Sequence, residues 1–279
     1  MNLFQKAINI SKIDSLIHIG GHKGEEIEEY KLLNLKNVIY VEPIKKFAKE
    51  IENKIQNLEN FSVLAIGLGS EDKEDEINIA EDNHSGSSSI FSPRPSSIEF
   101  VQKEKIIIKK FSSLDLPELD LAIIDTQGYE LEVLKGFENK IFNLDFIYSE
   151  ISIKEFYEEN TLVKDLDLFM SSRGFIRAKT FLYSNVPMGD ALYLNNKNLT
   201  KLNILYYNLK SKFQITKLYR FLNFFRNRKK AIFSMKKYLK KLLSIFSLVI
   251  FTLISNENKR LYTQAGEYGA SNKKHCFRS

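Results

Sequence analysis

The sequence predicts an α/β fold built on a mostly parallel sheet, followed by a basic helical appendage. Short apolar runs rich in β-branched residues recur along residues 16–150, and segments with helical character separate them. Such alternation is typical of parallel strands joined by crossover helices. The runs are nearly continuous in hydrophobicity, which favours strands that are buried on both faces. After Asn198 the composition changes, so a domain boundary is predicted there.

The first part of the chain alternates strand and helix patterns. The strand candidates end in glycine or in an acidic residue, and the second helix candidate has apolar side chains at three- and four-residue spacing. In chain order, the predicted elements are strand Leu16–Ile19, helix Gly24–Leu33, strand Val38–Val41, helix Ile44–Leu58 and strand Phe61–Ile66.

The middle of the chain is less regular. Residues 71–97 contain acidic residues, a serine-rich run and two prolines, and this composition predicts a long loop with one short strand at Glu76–Ile79. Regular elements resume after this loop. They are an edge strand Lys105–Lys110, strand Leu121–Ile124, helix Glu130–Lys135 with Gly136 as its stop, strand Asp145–Tyr148, helix Leu162–Ser172 and a hairpin of Phe175–Phe181 with Ala191–Leu194.

The charge distribution divides the chain into two parts. Residues 1–198 contain 23 Lys and Arg against 33 Asp and Glu, whereas residues 199–279 contain 18 against 2, and the net charge is +6. The first part therefore predicts an acidic domain, and residues 199–255 a basic, apolar helical appendage with a disordered tail over 256–279. The single cysteine, Cys276, excludes an internal disulfide, and the four scattered histidines predict no metal centre.

Four predicted strands end in residues suited to ligand binding, namely Gly20-Gly21, Glu42, Asp125 and Glu150. Because ligands of open α/β sheets bind at the carboxyl ends of the strands, we expect one crevice to collect them. The first turn matches neither the dinucleotide fingerprint nor the P-loop. A glycine turn followed by an acid that can accept hydrogen bonds from a ribose diol favours a ribose-bearing ligand. A plain tight turn and a solvated carboxylate are the alternatives.

Three segments carry a family resemblance. They are IHIGGHKGEEIEEY (17–30), NVIYVEP (37–43) and DLAIIDTQGYELEVLKG (120–136). On these residues the chain resembles the FkbM-type methyltransferases, a branch of the class I S-adenosylmethionine (SAM)-dependent enzymes, over roughly residues 15–195. The resemblance implies a Rossmann-like sheet of seven mostly parallel strands with a reversed last strand, helices on both faces, and SAM as the methyl donor, most often with an oxygen acceptor.

The resemblance also implies roles for individual residues. Asp125 would lie beside the reacting centre, close to the cofactor. The family usually has an acid at the position of His18, and a histidine cannot hold the amino group of SAM as an anion. The other residues implied to bind the cofactor are, from the methionine part through the ribose to the adenine, Gly20, Gly21 and Gly24, then Glu42, then Ala65 and Ile66.

Methyl transfer to a hydroxyl group benefits from a general base, which contributes about 10²–10⁴-fold. Asp125 follows a buried strand and is predicted to point into the crevice, with a helix cap as the alternative. His22 lies on the glycine turn, and its neutral imidazole could accept a proton, with a backbone-capping role as the alternative. Glu150 ends a strand, and His84 lies in a serine-rich loop that could close as a lid, or be solvated. These four residues are the candidate bases.

The appendage carries a membrane-surface pattern. Residues 199–255 contain no proline or glycine, and basic clusters over 226–241 precede a 14-residue apolar run over 242–255. This pattern predicts helices that lie on an anionic membrane, and the run is too short to span one. Helices that dock on protein are the alternative, and nucleic acid is disfavoured because no recognition motif is present. Residues 1–15 lack the apolar segment of a secretory signal, so we expect a cytoplasmic chain, peripheral to the membrane.

The leading hypothesis is an O-methyltransferase that acts on the hydroxyl of a sugar, a glycan or a small metabolite. The alternative is a binding module that has kept the fold and lost turnover, which is consistent with His18. Such a module could be held at the membrane by the C-terminal helices.

Overall fold

The computed structural model describes residues 13–81, 86–91, 99–155, 159–183 and 186–216. Within these residues the strands are β1 (Ser15–Ile19), β2 (Asn37–Val41), β3 (Phe61–Leu64), β4 (Gly67–Leu68), β5 (Lys73–Ala80), β6 (Phe100–Lys109), β7 (Leu121–Ile124), β8 (Phe146–Ser152), β9 (Phe175–Leu182) and β10 (Met188–Asn195). The α-helices there are α1 (Ile27–Lys31), α2 (Lys45–Ile55), α3 (Glu130–Gly136), α4 (Val163–Ser172) and α5 (Lys201–Gln214). Three predictions lie outside the described residues: the role of His84, membrane binding by segment 226–255 and disorder of the tail 256–279.

Seven of these strands form the main sheet, in the order β3-β2-β1-β7-β8-β10-β9. Neighbouring strands from β3 to β8 are parallel, and β10 runs antiparallel to both β8 and β9. The seven-stranded, mostly parallel sheet with a reversed last strand is thus confirmed. The strand order switches direction between β1 and β7, and the carboxyl ends of these two strands flank the crevice where α/β folds bind ligands.

Both faces of the sheet are buried, as the continuous apolar strands predict. Ile17 packs on one face with Val133 of α3 and Met170 of α4, and Leu16 packs on the other with Ile51 of α2. Successive strand residues point to opposite faces, so one run of apolar residues supplies both cores. The prediction of helices on both faces is confirmed.

A second, smaller sheet joins β4, β6 and β5 in that order. Strand β5 pairs with β6 in antiparallel register, and Ile77 and Ile106 of these strands are buried. The sequence analysis predicts a long loop over residues 71–97 with one short strand. This prediction is wrong for residues 73–80, all of which belong to β5. The sequence of β5 begins with four consecutive charged residues and has its apolar residues only in the second half, and the strand that pairs with it lies about 30 residues away along the chain.

Gly136 ends α3, as predicted, and also allows a close contact. A Cβ there would lie 2.0 Å from the carbonyl oxygen of Gly69. The glycine therefore allows α3 to approach the backbone that follows β4, and a side chain would push the two apart.

Helix α5 packs against β9. The Arg177 side chain pairs with Asp167 at 2.8 Å and donates to the Ser211 carbonyl of α5 at 3.2 Å. Helix α5 lies beyond the domain boundary predicted after Asn198, and that boundary stays a prediction. Of the helices that the model describes, none has the length and hydrophobicity needed to cross a membrane.

Candidate functional site

Two cavities open at the carboxyl edge of the main sheet. The first has a volume of about 600 Å³ and is lined in part by Gly20, Glu42, Leu68 and Ile106. The second has a volume of about 560 Å³ and is defined by His18, Glu26, Tyr148, Glu150, Tyr183 and Asp190. Asp125, directly after β7, lines both cavities.

The glycine turn brings β1 close to β7. Gly20 has φ +83°, and a Cβ built on it would lie 1.8 Å from the carbonyl oxygen of Asp125. Only glycine fits this position, because both the left-handed backbone and the contact exclude a side chain. Gly20 thereby sets the edge of the first cavity.

Gly21 and Gly24 lie beneath the turn instead of lining the first cavity. A Cβ on Gly21 would lie 2.6 Å from the Tyr40 ring, and a Cβ on Gly24 would lie 2.6 Å from Ile27. Both glycines therefore let the turn pack on the core under it, and their implied contact with the methionine part of SAM stays a prediction.

Glu42, directly after β2, is buried at the first cavity. Its Oε2 accepts the backbone N–H of His22 at 2.8 Å and its Oε1 accepts that of Ile44 at 2.9 Å. These bonds fix the carboxylate in place, and each oxygen keeps lone-pair capacity for a further donor. Burial, only partly offset by the two backbone bonds, raises the pKa of Glu42 to about 8.

The apolar wall of the first cavity is formed after β3, but not by the two residues that the family resemblance indicates. Gly67 and Leu68 line the cavity, whereas Ala65 is exposed and Ile66 packs on the core. The chain turns into β4 there, and residues 67 and 68 pair with β6. Leu68 of this short strand and Ile106 of β6 both line the cavity.

The serine-rich segment reaches the first cavity. Gly86, Ser88 and Ile90 line it, and the Ser89 hydroxyl donates to the Gln127 carbonyl at 2.8 Å. Backbone bonds of Ser89 to Asn78 anchor the segment to β5. The described part of this segment, residues 86–91, is therefore a wall of the cavity.

His22 lies on the glycine turn with φ +44°. Its Nδ1 lies 2.7 Å from Oε1 of Glu25, and its ring packs edge-on against Phe47 at 4.6 Å between centroids. His22 lines the first cavity and not the second.

Three carboxylates form a row across the second cavity, on strands β7, β8 and β10. Asp190 pairs directly with Glu150 in the antiparallel register, and Ile124 pairs with Ser149 in the parallel one, so Asp125 lies beside Glu150. The sequence analysis predicts Glu150 at the end of its strand. In the structure it lies inside β8. Like charges opposite one another destabilise a sheet, so this row serves something other than stability.

The groups around the row raise the pKa of each acid. Burial comes first for Asp125, Glu150 and Asp190, and the neighbouring carboxylates add to the increase for Asp125 and Glu150. The Tyr183 hydroxyl donates to Asp190 at 2.8 Å. Asp125 itself remains accessible through the cavities. No cluster of three or more potential ligand side chains within the described part of the chain is arranged to hold a metal ion.

Gln127 joins two members of the row. Its Nε2 donates to Asp125 Oδ1 at 2.6 Å and to Glu150 Oε2 at 3.2 Å. Its backbone is left-handed, with φ +53°, and buried Glu130 holds the turn by accepting the N–H groups of Thr126 and Gly128. Sequence reasoning did not single out Gln127 or Asp190, because their partners depend on side-chain reach and on strand register.

His18 is buried on the wall of the second cavity and does not line the first. Its Nδ1 hydrogen-bonds with the Tyr30 hydroxyl at 3.1 Å, and its ring stacks on Tyr40 at 5.4 Å. Glu26 lies 3.9 Å away. Burial lowers the pKa of His18, which favours the neutral ring.

Comparison with known proteins assigns the chain to a protein family. The family model described as the methyltransferase FkbM domain matches residues 18–177. A methyltransferase FkbM from Methylobacillus flagellatus KT is similar at 13% identity and a TM-score of 0.45, covering 65% of this chain and 43% of that one. The chain thus spans less than half of that protein. No curated protein matches the sequence.

Two further solved structures are similar. StiE O-MT has 10% identity and a TM-score of 0.47, over 76% of this chain and 78% of that one. Magnesium protoporphyrin IX methyltransferase (ChlM) from Synechocystis PCC 6803, solved with bound SAM, has 11% identity and a TM-score of 0.41, over 67% and 72%. Because the matched residues 18–177 make up more than half of the 279-residue chain, the protein belongs to the FkbM methyltransferase family.

Proposed function

We propose that the chain transfers a methyl group from SAM to a hydroxyl of a sugar, a glycan or a small metabolite. The observation that carries the proposal is the position of Asp125, whose side chain borders both cavities. A donor in the first cavity and an acceptor in the second would meet at this residue. Holding two reactants in such an arrangement is the main contribution that a protein makes to group transfer.

The residues of the first cavity fit SAM, the cofactor of this family. The fixed carboxylate of Glu42 can accept hydrogen bonds from the ribose hydroxyls, and Leu68 and Ile106 offer an apolar surface to the adenine. Asp125 offers a negative charge to the cationic methionine part. When bound, SAM supplies a methyl carbon on a positively charged sulfur, which keeps the electron pair of the broken bond.

The lining of the second cavity supports an acceptor rich in hydroxyl groups. Carboxylates and tyrosine hydroxyls dominate it, and none of its described lining residues is a lysine or an arginine. Carboxylate oxygens accept hydrogen bonds from hydroxyl and ammonium groups, and they repel phosphate and carboxylate. A neutral sugar or an amino sugar therefore suits this cavity better than a sugar phosphate.

Asp125 is the general base in this proposal. Of the candidate bases within the described residues, it alone borders both cavities. As the acceptor oxygen bonds to the methyl carbon, the hydroxyl proton passes to the Asp125 carboxylate. The surrounding burial and charge raise the pKa of Asp125 from its usual range, which makes it a stronger base.

The proposal is tested by calorimetric titration with SAM and S-adenosylhomocysteine, followed by transfer from methyl-labelled SAM to a panel of neutral sugars, amino sugars and sugar phosphates. We expect donor binding at submillimolar concentration and labelling of neutral or amino sugars in preference to phosphates. An absence of donor binding at millimolar concentration would contradict the proposal.

A variant of Asp125 tests the role of that residue in the same assay. Asp125→Asn keeps the shape of the side chain and removes the base, so we expect transfer to fall by about 100-fold with S-adenosylhomocysteine still bound. Asp165→Asn, at an exposed position of α4, is the matched control and should transfer at the parental rate. Parental transfer by Asp125→Asn would exclude Asp125 as the base.

The alternative of a binding module without turnover makes a distinct prediction at His18. If the site had decayed by loss of the usual acid, His18→Asp would raise donor affinity. We expect no such gain, because His18 faces the second cavity and a carboxylate there would lie near Glu26. The added charge should destabilise the fold by about 1–3 kcal/mol. Thermal melting and donor titration check both outcomes, and a tenfold gain in affinity would favour the alternative.

A further inference from the structure

The carboxylate row raises the question of where its protons reside. Asp125, Glu150 and Asp190 lie on adjacent strands, and Glu150 occupies the middle of the row. It therefore has a carboxylate on each side, whereas each outer acid has one such neighbour. Carboxylates that share one site around a buried member do not all ionise, so at least one proton is retained in the row near neutral pH.

The hydrogen bonds to the row are unequal. Asp190 receives the Tyr183 hydroxyl at 2.8 Å, and Asp125 receives the Gln127 amide at 2.6 Å. Glu150 receives the same amide at 3.2 Å and is the most buried of the three. Donors stabilise the ionised form of a carboxylate, so both outer acids are favoured as anions and the middle one as the neutral acid.

Gln127 has an unfavourable, left-handed backbone that keeps its side-chain amide in place. A left-handed backbone is unfavourable for a non-glycine residue, and the bonds from Thr126 and Gly128 to Glu130 hold this turn. The side-chain nitrogen of Gln127 is thereby fixed between Asp125, the proposed base, and Glu150.

We propose that Gln127 is a positioning residue that keeps Asp125 ionised and assigns the retained proton to Glu150. For turnover this inference rests on the proposed function, since an ionised Asp125 is what accepts the proton of the acceptor hydroxyl. The distribution of protons itself is a property of the free protein. Other titratable groups that face the row are His18 of β1, Glu26 before α1, Glu130 of α3, Tyr148 of β8 and Tyr183 after β9.

The test is a pH titration of the free, full-length chain by ¹³C NMR, with labelled Asp and Glu carboxyl carbons assigned through Asp125→Asn and Glu150→Gln. In the parent we expect Asp125 to ionise at lower pH than Glu150. In Gln127→Leu the midpoint of Asp125 should rise by about one to two pH units, the equivalent of one lost bond to a charged group. The Glu150 carboxyl should shift less, because its bond to the amide is longer.

Two variants separate this role from a structural one. Gln127→Asn suits the left-handed backbone but is one carbon shorter, so it should raise the Asp125 midpoint as Gln127→Leu does, even if the leucine variant fails to fold. Ser89→Ala removes a bond to the same residue without altering the amide, and should leave the midpoint unchanged. Unchanged titration of Asp125 in Gln127→Asn, or ionisation of Glu150 before Asp125 in the parent, would overturn the proposal. Because no donor or acceptor is present, these results do not depend on methyl transfer.

Discussion

Replacing Gly20 with alanine is expected to abolish binding of S-adenosylhomocysteine and to destabilise the fold by about 2–5 kcal/mol. The left-handed backbone at φ +83° accounts for part of this loss. The larger part is steric, because the new Cβ would lie 1.8 Å from the Asp125 carbonyl oxygen. That oxygen belongs to rigid backbone at the end of β7, so β1 and β7 must separate at the place where the two cavities meet.

Gly174 provides a matched control for the backbone contribution. It has φ +78°, close to that of Gly20, and a Cβ there would meet no atom within 4 Å. Gly174→Ala should therefore cost only the left-handed strain, about 1–2 kcal/mol, and leave donor binding intact. Thermal melting and calorimetric titration of both variants make the comparison. Equal losses of stability would show that the close approach of β1 to β7 is unimportant.

The main sheet was predictable because its strands carry their own signal. A strand such as Leu121–Ile124 is apolar at every position, since parallel strands are covered on both faces. Strand β5 lacks this signal, because its first four residues are all charged and it depends on pairing with β6. Its sequence therefore fits an acidic loop as well as a strand.

The site was predictable only at its strand ends. Glu42 and Asp125 follow apolar strands directly, and such positions converge at the carboxyl edge whatever the details of packing. Asp190 belongs to the site because it pairs with Glu150 across a register that joins residues 40 positions apart. This register cannot be read from the sequence of either strand alone. A slip of one residue would turn Asp190 to the other face of the sheet.

Above pH 8, where Glu42 is ionised, Glu42→Gln is expected to weaken binding of 5′-methylthioadenosine by about 100-fold. This probe has the ribose and the adenine of SAM but no amino acid, so it isolates the contribution of Glu42. The substitution replaces a carboxylate that can accept from ribose hydroxyls by an amide with a single acceptor oxygen, already needed by the N–H of His22 or Ile44. Hydrogen bonds to charged groups are worth about 1.5–3 kcal/mol each, and up to two are lost.

Glu52→Gln is the matched control for Glu42→Gln, because Glu52 is an exposed acid on α2 that pairs with Lys49. It should bind the probe as the parent does. A second probe, 2′-deoxyadenosine, lacks one ribose hydroxyl and should lose less affinity in Glu42→Gln than adenosine does. Parental affinity of Glu42→Gln for methylthioadenosine would mean that the carboxylate does not hold the ribose.

The same carboxylate predicts a pH dependence with a definite sign. Burial raises the pKa of Glu42 to about 8 in the free protein, and the ribose hydroxyls donate to the ionised form. Affinity for methylthioadenosine should therefore rise with pH, by up to about tenfold per unit, and level off above pH 8.

The stability of the ligand-free protein should depend on pH in the opposite direction. The unfolded chain ionises Glu42 near pH 4.5, so the contribution of this residue to the free energy of unfolding decreases between pH 4.5 and 8. Glu42→Gln should remove both dependences together. A flat affinity profile in the parent would show that Glu42 is already fully ionised in the free protein, and an unchanged slope in Glu42→Gln would assign the titration to another group.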